Sequence, residues 1–369
     1  MGPETKQIGE PRAGSSAQAI EAPDSRIPIC VVGLNFGQYI IKNELGTGSG
    51  AEFFRLAALC DIDEAKVNGL AASLGVRAYT SLDDVLLNPA IPAVGLYTGP
   101  SGRAELVRKI IRAGKDVMTT KPLETDPEAA RAILTEAVEL GRTVHLNSPA
   151  PILSPDIAQI SQWQQHYNLG PLVACRADVW ASYREEADGT WYDDPLRCPV
   201  APIFRLGIYL INDLVALLGE AERVQVLASR LYTKRPTVDN AQLGIQFKSG
   251  ALANIFASFC VGDGDQYRDS LVLNFEKGTI YRNAGPIRTE PFGDRSDLSL
   301  VMPSKETRRR VEAHVDTPAS SAYRWDLFSR AIRGESLPGL VPISTAVNGL
   351  KIIRAMSEAE RGDGTAFVR

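Results

Sequence analysis

The sequence predicts a two-domain α/β protein: a doubly wound parallel sheet, then an α+β domain on an open, mostly antiparallel sheet. Two observations predict this. Between Ile29 and Leu146, short apolar runs alternate with amphipathic segments of helical period, joined by short loops. That is the rhythm of βα units in a parallel sheet. Beyond Asn147 the runs lengthen, and several alternate polar with apolar residues, as strands with one wet face do. A chain of 369 residues is also long enough for two domains.

Residues 1–26 are rich in Gly, Pro, Ala, Ser and Glu and lack the apolar core of a signal peptide. They are expected to form a disordered extension, or an arm on a partner subunit. Ile29–Val32 is a β-branched run suited to a strand buried on both faces. After Gly33 to Gly37 comes helical spacing at Phe36, Tyr39 and Ile40. Arg55–Cys60 is a second strand, Ala65–Leu74 a helix stopped at Gly75, and Ala78–Tyr79 a very short strand. Ser81 caps a helix with Asp83 and Asp84 in its first turn, where the helix dipole favours them. Ala93–Tyr97 is a buried strand followed by the turn Thr98-Gly99-Pro100-Ser101. Helix Ala104–Arg112, a strand around Val117 and Met118, a helix from Asp126 to about Leu140 and strand Thr143–Leu146 complete the first domain, 27–148.

The second domain, 149–369, reads as strands at Leu172–Ala181, Arg223–Tyr232, Gln242–Phe247, Leu252–Phe259 and Ser270–Phe275. Helices are expected near Asp156–His166, Phe204–Leu218 and Ala346–Glu358. Such a sheet leaves one face for a partner subunit.

The formal net charge of −4 argues against a nucleic-acid binder, and no apolar run is long enough to span a bilayer. The five cysteines (Cys30, Cys60, Cys175, Cys198, Cys260) are scattered, without C-x-x-C spacing. They are expected to be reduced core thiols in a cytoplasmic protein rather than disulfides or metal ligands.

Strand, glycine turn and helix at 28–39 form the layout that points helix N–H groups at a phosphate. The G-x-G-x-x-G pattern of the Rossmann dinucleotide-binding unit wants glycines at 33, 35 and 38. Here Asn35 and Gln38 stand at the last two, and Gly37 comes one place early. Asn tolerates left-handed backbone, so Asn35 is expected to substitute for the glycine. The turn alone also suits an ordinary βα connection. Asp61, ending the second strand, is placed to bind ribose hydroxyls or to cap the helix near Glu64, where Asp63 is better placed. Asp61 would repel a 2′-phosphate and Ile62 offers no charge to offset it, so NAD is expected over NADP. The expected cofactor set is Gly33, Asn35, Phe36, Gly37, Asp61, Thr98, Lys121 and Pro122.

Four stretches, VVGLNFG at 31–37, ALCDID at 58–63, AGKDVMTTKPLE at 113–124 and LGIYLINDLVALLGE at 206–220, resemble the Gfo/Idh/MocA oxidoreductases. The resemblance runs from Ile27 to the C-terminus. It implies a nicotinamide cofactor, a two-domain subunit, and hydride transfer at a hydroxyl or carbonyl carbon of a sugar, sugar acid or cyclitol. It also implies a homodimer or homotetramer through the C-terminal sheet.

The family's Glu-Lys-Pro is Thr120-Lys121-Pro122 here. Lys121 follows a parallel strand's carboxyl end, where it can stabilise an alkoxide, unless it is a solvated surface lysine. The family's Asp-x-Gly-x-His becomes Arg205, Gly207 and Tyr209. Tyr in the His position resembles the glucose-fructose oxidoreductase branch; Arg in the Asp position departs from the pattern. The only histidines are His145, His166 and His314, none beside this motif; His145 ends a strand near the cofactor half and is expected to be structural.

Lys121 and Tyr209 are therefore the catalytic candidates, with positive charge from Arg205 and Lys121 expected to lower the phenol's pKa. Arg205 is expected to grip a substrate carboxylate, or else to pair with Asp213 or Glu185. Trp180, Tyr183 and Trp191, with Tyr192, offer aromatic faces for a sugar ring, or else pack the strand and loop they stand on. Two other classes stay open: a redox-neutral lyase or epimerase on retained NAD, and a non-catalytic NAD-binding regulator.

Overall fold

The computed structural model describes residues 24–263, 267–285, 294–304 and 307–369. Most of the expected N-terminal extension, residues 1–23, lies outside the described residues. The first sheet has strands β1 (Ile27–Val32), β2 (Phe54–Cys60), β3 (Arg77–Tyr79), β4 (Ala93–Leu96), β5 (Asp116–Thr119) and β6 (Val144–Leu146). They pair in the order β3-β2-β1-β4-β5-β6, all parallel. The apolar runs are continuous because both faces are covered. Cys30 and Val32 enter one core, and Ile29 and Val31 enter another on the opposite face. Strand order reverses between β1 and β4, and in such sheets the ligand crevice lies at that point, beyond the strands' carboxyl ends.

The second sheet contains β7 (Leu172–Trp180), β8 (Ala221–Ser229), β9 (Asn240–Phe247), β10 (Leu252–Ser258), β11 (Arg268–Phe275), β12 (Gly278–Arg282), β13 (Arg295–Pro303), β14 (Arg308–Asp316) and β15 (Thr365–Phe367). Its order is β14-β13-β12-β11-β7-β10-β9-β8-β15, antiparallel except where β7 meets β10. Cys175, Ala177 and Val179 of β7 are buried while Arg176 is exposed, so the sheet is one-sided. Helices Ile208–Leu218 and Ile343–Arg361 join the core on its inner face.

Three local differences from the sequence reading have physical causes. The strand expected to reach Tyr232 ends at Ser229, because the N–H groups of Leu231, Tyr232 and Thr233 turn onto the Asp239 carboxylate at 2.8, 2.7 and 2.7 Å. The helix expected from Phe204 starts as a wide π turn, Ile203–Gly207, before the α-helix begins at Ile208. A Cβ on Gly207 would lie 3.1 Å from the Ile203 side chain, so glycine suits that turn. The chain also returns to the first domain near its end. Trp325 and Phe328, on helix Trp325–Ile332, each place a ring 5.3 Å from Phe54, and Trp325 Nε1 donates to Glu44 Oε2 at 2.8 Å. The expected division at 148/149 is therefore crossed by this segment.

Candidate active site

The crevice is built by the glycine turn. Gly33 has φ +86°, and a Cβ there would stand 2.9 Å from the Tyr97 carbonyl carbon and 3.0 Å from Thr98 N. Only glycine lets the turn after β1 lie this close to the end of β4. Gly37 brings helix Leu34–Tyr39 onto its strand: a Cβ there would lie 2.9 Å from Val31 Cγ1. Asn35 is inside that helix, so the left-handed role expected of it is not used. Its Oδ1 accepts from Lys66 Nζ at 2.7 Å. Phe36 lies on the same helix, with its ring edge-on to Tyr97.

Asp61 reaches the helix start. Its Oδ2 accepts from Leu34 N–H at 2.6 Å and its Oδ1 from Asp63 N–H at 3.0 Å. Asp63, not Asp61, caps helix Glu64–Leu74. A backbone cradle that a Cβ would fill, with a carboxylate at its rim, fits a dinucleotide.

Thr98, Lys121 and Pro122 stand at the ends of β4 and β5, tied by a residue the sequence reading missed. Arg103 is buried. Its Nη1 donates to the carbonyls of Thr120 at 2.7 Å and Pro122 at 2.5 Å, and its Nη2 donates to the Thr98 carbonyl. Glu124 accepts from Gly102 N–H at 3.1 Å and Ala104 N–H at 2.9 Å, capping the same helix, Arg103–Arg112. A faint signal existed: an arginine in a helix's first turn opposes the dipole and needs another reason to be there.

Lys121 is held from both domains. Its backbone N–H donates to Asn147 Oδ1 at 3.0 Å, and its ammonium donates to the Arg205 carbonyl. Nζ lies 4.8 Å from the Tyr209 ring centroid. Burial lowers its pKa to about 7, with help from the positive charge of Arg205. Asn147 also donates to the Tyr209 hydroxyl at 3.4 Å, so one amide touches both candidates.

In the second domain the expectation for Tyr209 is corrected, and of the two alternatives for Arg205 the pairing with Glu185 is the one found. Burial, with repulsion from Tyr323, drives the Tyr209 pKa well above its ordinary value, so the phenol stays protonated. Arg205 is closed on Glu185, with Nη1 to Oε2 at 2.6 Å and Nη2 to Oε1 at 2.8 Å. Its guanidinium is ringed by Tyr192, Phe259 and Tyr183, at 4.3, 4.8 and 5.1 Å. That fork is therefore engaged within the protein and does not await a substrate carboxylate. Tyr183 also bonds Tyr267 through its hydroxyl, and Trp180 Nε1 donates to Asp263 at 3.1 Å. Trp191 crosses to the first domain, its Cδ1 3.5 Å from where a Cβ on Gly99 would stand.

Tyr209 borders a cavity of about 400 Å³ shared with Asn147, Asp213, Asp269, Arg282 and Thr317. Arg205, Trp180, Tyr183 and Trp191 are not in its lining. Burial pushes Asp213 up to about 7, with repulsion from Asp156 and Asp269 added and Arg282 opposing. The lining comes from segments scattered along the chain, and no local motif joins them. Among the described residues no group of His, Cys, Asp or Glu is arranged to hold a metal. His145 bonds the Tyr323 carbonyl at 3.0 Å and is lowered to about 4 by burial, as a neutral structural imidazole.

Fold and site thus define a two-domain, dinucleotide-binding α/β protein with a half-buried lysine and tyrosine at the carboxyl edge of the parallel sheet. Residues 27–148 match the oxidoreductase family with an NAD-binding Rossmann fold, and residues 157–281 match the GFO/IDH/MocA C-terminal domain. The chain belongs to the Gfo/Idh/MocA family of NAD(P)-dependent oxidoreductases.

D-xylose 1-dehydrogenase (NADP(+)) 2 of Haloferax volcanii is 24% identical over 266 residues, 70% of this chain and 79% of that one. Inositol 2-dehydrogenase of Rubrobacter xylanophilus is 31% identical over 88 residues, 24% of this chain and 25% of its own. A levoglucosan dehydrogenase solved with NADH shares the fold: TM-score 0.67 and 14% identity, over 93% of this chain and 99% of that one. No helix among the described residues is long and apolar enough to cross a membrane.

Proposed function

We propose that the protein is an NAD-dependent dehydrogenase or reductase acting on a secondary hydroxyl or carbonyl of a sugar or cyclitol. The observation that carries this is the pairing of Lys121 with Tyr209, 4.8 Å from ammonium to ring, at the carboxyl edge of the sheet that holds the glycine cradle. NAD, when bound, supplies the hydride acceptor, and Gly33, Gly37 and Asp61 would hold it with Thr98 and Pro122. Lys121 titrates near neutrality, so its amine can take the hydroxyl proton in oxidation and its ammonium can return it in reduction. Tyr209, kept protonated, donates to the reacting oxygen. Asn147 fixes the distance between them.

The names of the relatives, which act on xylose, inositol and levoglucosan, support a sugar-like substrate. With Arg205 engaged by Glu185, that side chain gives no ground for a sugar acid. Asp61 at the cradle's rim supports NAD over NADP. A second copy of the chain would cover the outer side of the second sheet, where Leu227, Leu252 and Phe367 are exposed; light scattering would show a monomer if that is wrong.

The test of function is a panel of neutral sugars, cyclitols and sugar acids with NAD or NADP, followed by reduced-cofactor absorbance. NADH formed in step with product supports the proposal. Turnover without net NADH points to redox-neutral chemistry, and NADP binding as tight as NAD removes the assignment to Asp61.

A further inference from the structure

We propose that Asp213 and Asp269, braced on Arg282, form an anionic wall in the cavity beside Tyr209 that reads two hydroxyl donors of a neutral polyol and turns away sugar acids. This rests on the oxidoreductase reading above and names the substrate class it leaves open. Arg282 is buried among three carboxylates: Nη1 bonds Asp213 Oδ2 at 3.0 Å and Asp156 Oδ2 at 3.2 Å, and Nη2 bonds Asp269 Oδ2 at 3.2 Å.

The three acids are not equivalent. Asp156 is saturated: Ser154 Oγ and Ile157 N–H serve Oδ1 at 2.6 and 2.9 Å, and Ser296 Oγ joins Arg282 on Oδ2 at 2.9 Å. Asp213 is served only on Oδ2, and Asp269 only on Oδ2, by Arg282 and by Ser320 Oγ at 3.2 Å. The Oδ1 atoms of Asp213 and Asp269 accept from no described residue, and both side chains line the cavity. Asp213 is ionised above about pH 7; an ionised carboxylate only accepts, so a ligand that completes the pair there must bring donors.

An independent observation points the same way. Two other lining residues, Arg282 and Thr317, are only 2% and 8% exposed, yet Arg282 Nε and Thr317 Oγ1 have no hydrogen-bond partner among the described residues. A buried polar atom left unpaired is costly. Hydroxyl groups both donate and accept. They can serve the two Asp oxygens, the guanidinium N–H and the threonine together; an ammonium serves only the acceptors.

The other arginines that line the cavity among the described residues are engaged: Arg295 with Asp297 at 3.5 Å and Arg324 with Asp326 at 2.9 Å. A ligand carboxylate would bring an added negative charge to this wall and no donor. Asp213 follows Tyr209 by one helical turn, a rise of about 6 Å. A hydroxylated six-membered ring spans that distance, with one hydroxyl at Tyr209 and its neighbours at the wall.

The experiment uses the full chain loaded with NAD, with D-glucose and its acid twin D-glucuronate as matched probes and myo-inositol and D-xylose as further neutral ones. Binding is read by calorimetry and turnover by NADH absorbance. At least one neutral probe should bind, and the neutral twin should bind tenfold or more tighter than the acid. Asp213→Asn and Asp269→Asn should each weaken the best neutral probe tenfold or more and narrow the gap to the acid, while Asp213→Glu should restore part of the discrimination.

D-glucuronate binding as tightly as D-glucose, no binding of any neutral probe, or unchanged neutral-probe affinity in both Asn variants would overturn the proposal. If the Asn variants do not fold, as judged by thermal melts, the wild-type ratio and a Ser320→Ala variant still decide it. Retained NADH formation with no neutral-over-acid preference would sink the wall and leave the oxidoreductase reading standing. Failure to bind any nicotinamide dinucleotide would sink that reading instead.

Discussion

Lys121 sets two measurable pH dependences, with signs fixed by burial. Its pKa falls from 10.5 to about 7 in the folded chain. Above about 7 the amine is neutral and can accept the hydroxyl proton, so the oxidation rate should rise as pH climbs through that value. Lys121→Met should cut turnover about 100-fold or more while NAD binding persists; near-normal turnover would remove the residue from the mechanism. Between pH 7 and 10.5 the unfolded chain holds this proton and the folded chain does not, so the group's contribution makes stability rise with pH across that window. Melting curves at pH 7 and pH 9 should show a smaller pH gain in Lys121→Met than in wild type. Tyr209 is displaced the other way, so Tyr209→Phe should lower the maximal rate without moving the limb near pH 7.

Lys121 and Tyr209 were legible because each stands in a short local motif. The fate of Arg205 was not, since its choice of Glu185 over a ligand depends on how a distant loop folds back. Asp213, Asp269 and Arg282 were hidden for the same reason: they meet only after β11, β12 and a helix are packed together.

Among the elements, the glycine turn gives the sharpest prediction. Gly33→Ala must hold a Cβ at φ +86°, 2.9 Å from backbone atoms of Tyr97. Either the turn moves away from β4 or the cradle fills. Fluorescence titration should show NAD affinity falling tenfold or more, with a stability loss of more than about 1 kcal/mol in denaturant melts. An unchanged affinity would mean the dinucleotide does not use this turn.

The parallel strands were readable because burial on both faces demands apolar residues at every position. Of the later strands missed, β12 to β15, two were missed for the converse reason, β14 and β15, while β13 carries a clean alternation, with Leu298, Leu300 and Met302 buried, that was legible. β14 reads RRRVEAHVD, an edge strand with exposed arginines, and its apolar residues are only half-covered. β15 has three residues and exists because β8 offers it an edge. The π turn at Ile203–Gly207 left only Gly207 as a trace, since its geometry is set by the packing of Ile203, Phe204 and Leu206 into the core.

At the scale of the whole molecule, the cavity depends on the chain's return to the first domain. Residues 317–322 and Arg324 form part of its lining, and the aromatic residues around Arg324 are anchored in the first-domain core. Tyr323, Trp325 and Phe328 enter the core beneath β1 and β2, and Trp325 is fully buried with its Nε1 on Glu44. The lining segment is thus stretched between β14 and an aromatic plug in the other domain. Trp325→Ala removes the plug's largest side chain and the partner of Glu44. A loss of about 3 to 5 kcal/mol is expected from the cavity left behind. The functional consequence separates anchoring from simple destabilisation. At a temperature where Trp325→Ala is still folded, the Michaelis constant for the sugar should rise several-fold while NAD affinity at the glycine cradle stays near wild type. A comparable truncation in the second domain's own core, such as Phe247→Ala at the fully buried end of β9, should leave both constants unchanged. If Trp325→Ala instead weakens NAD and sugar binding equally, the plug holds up the first domain as a whole and does not set the position of the cavity wall.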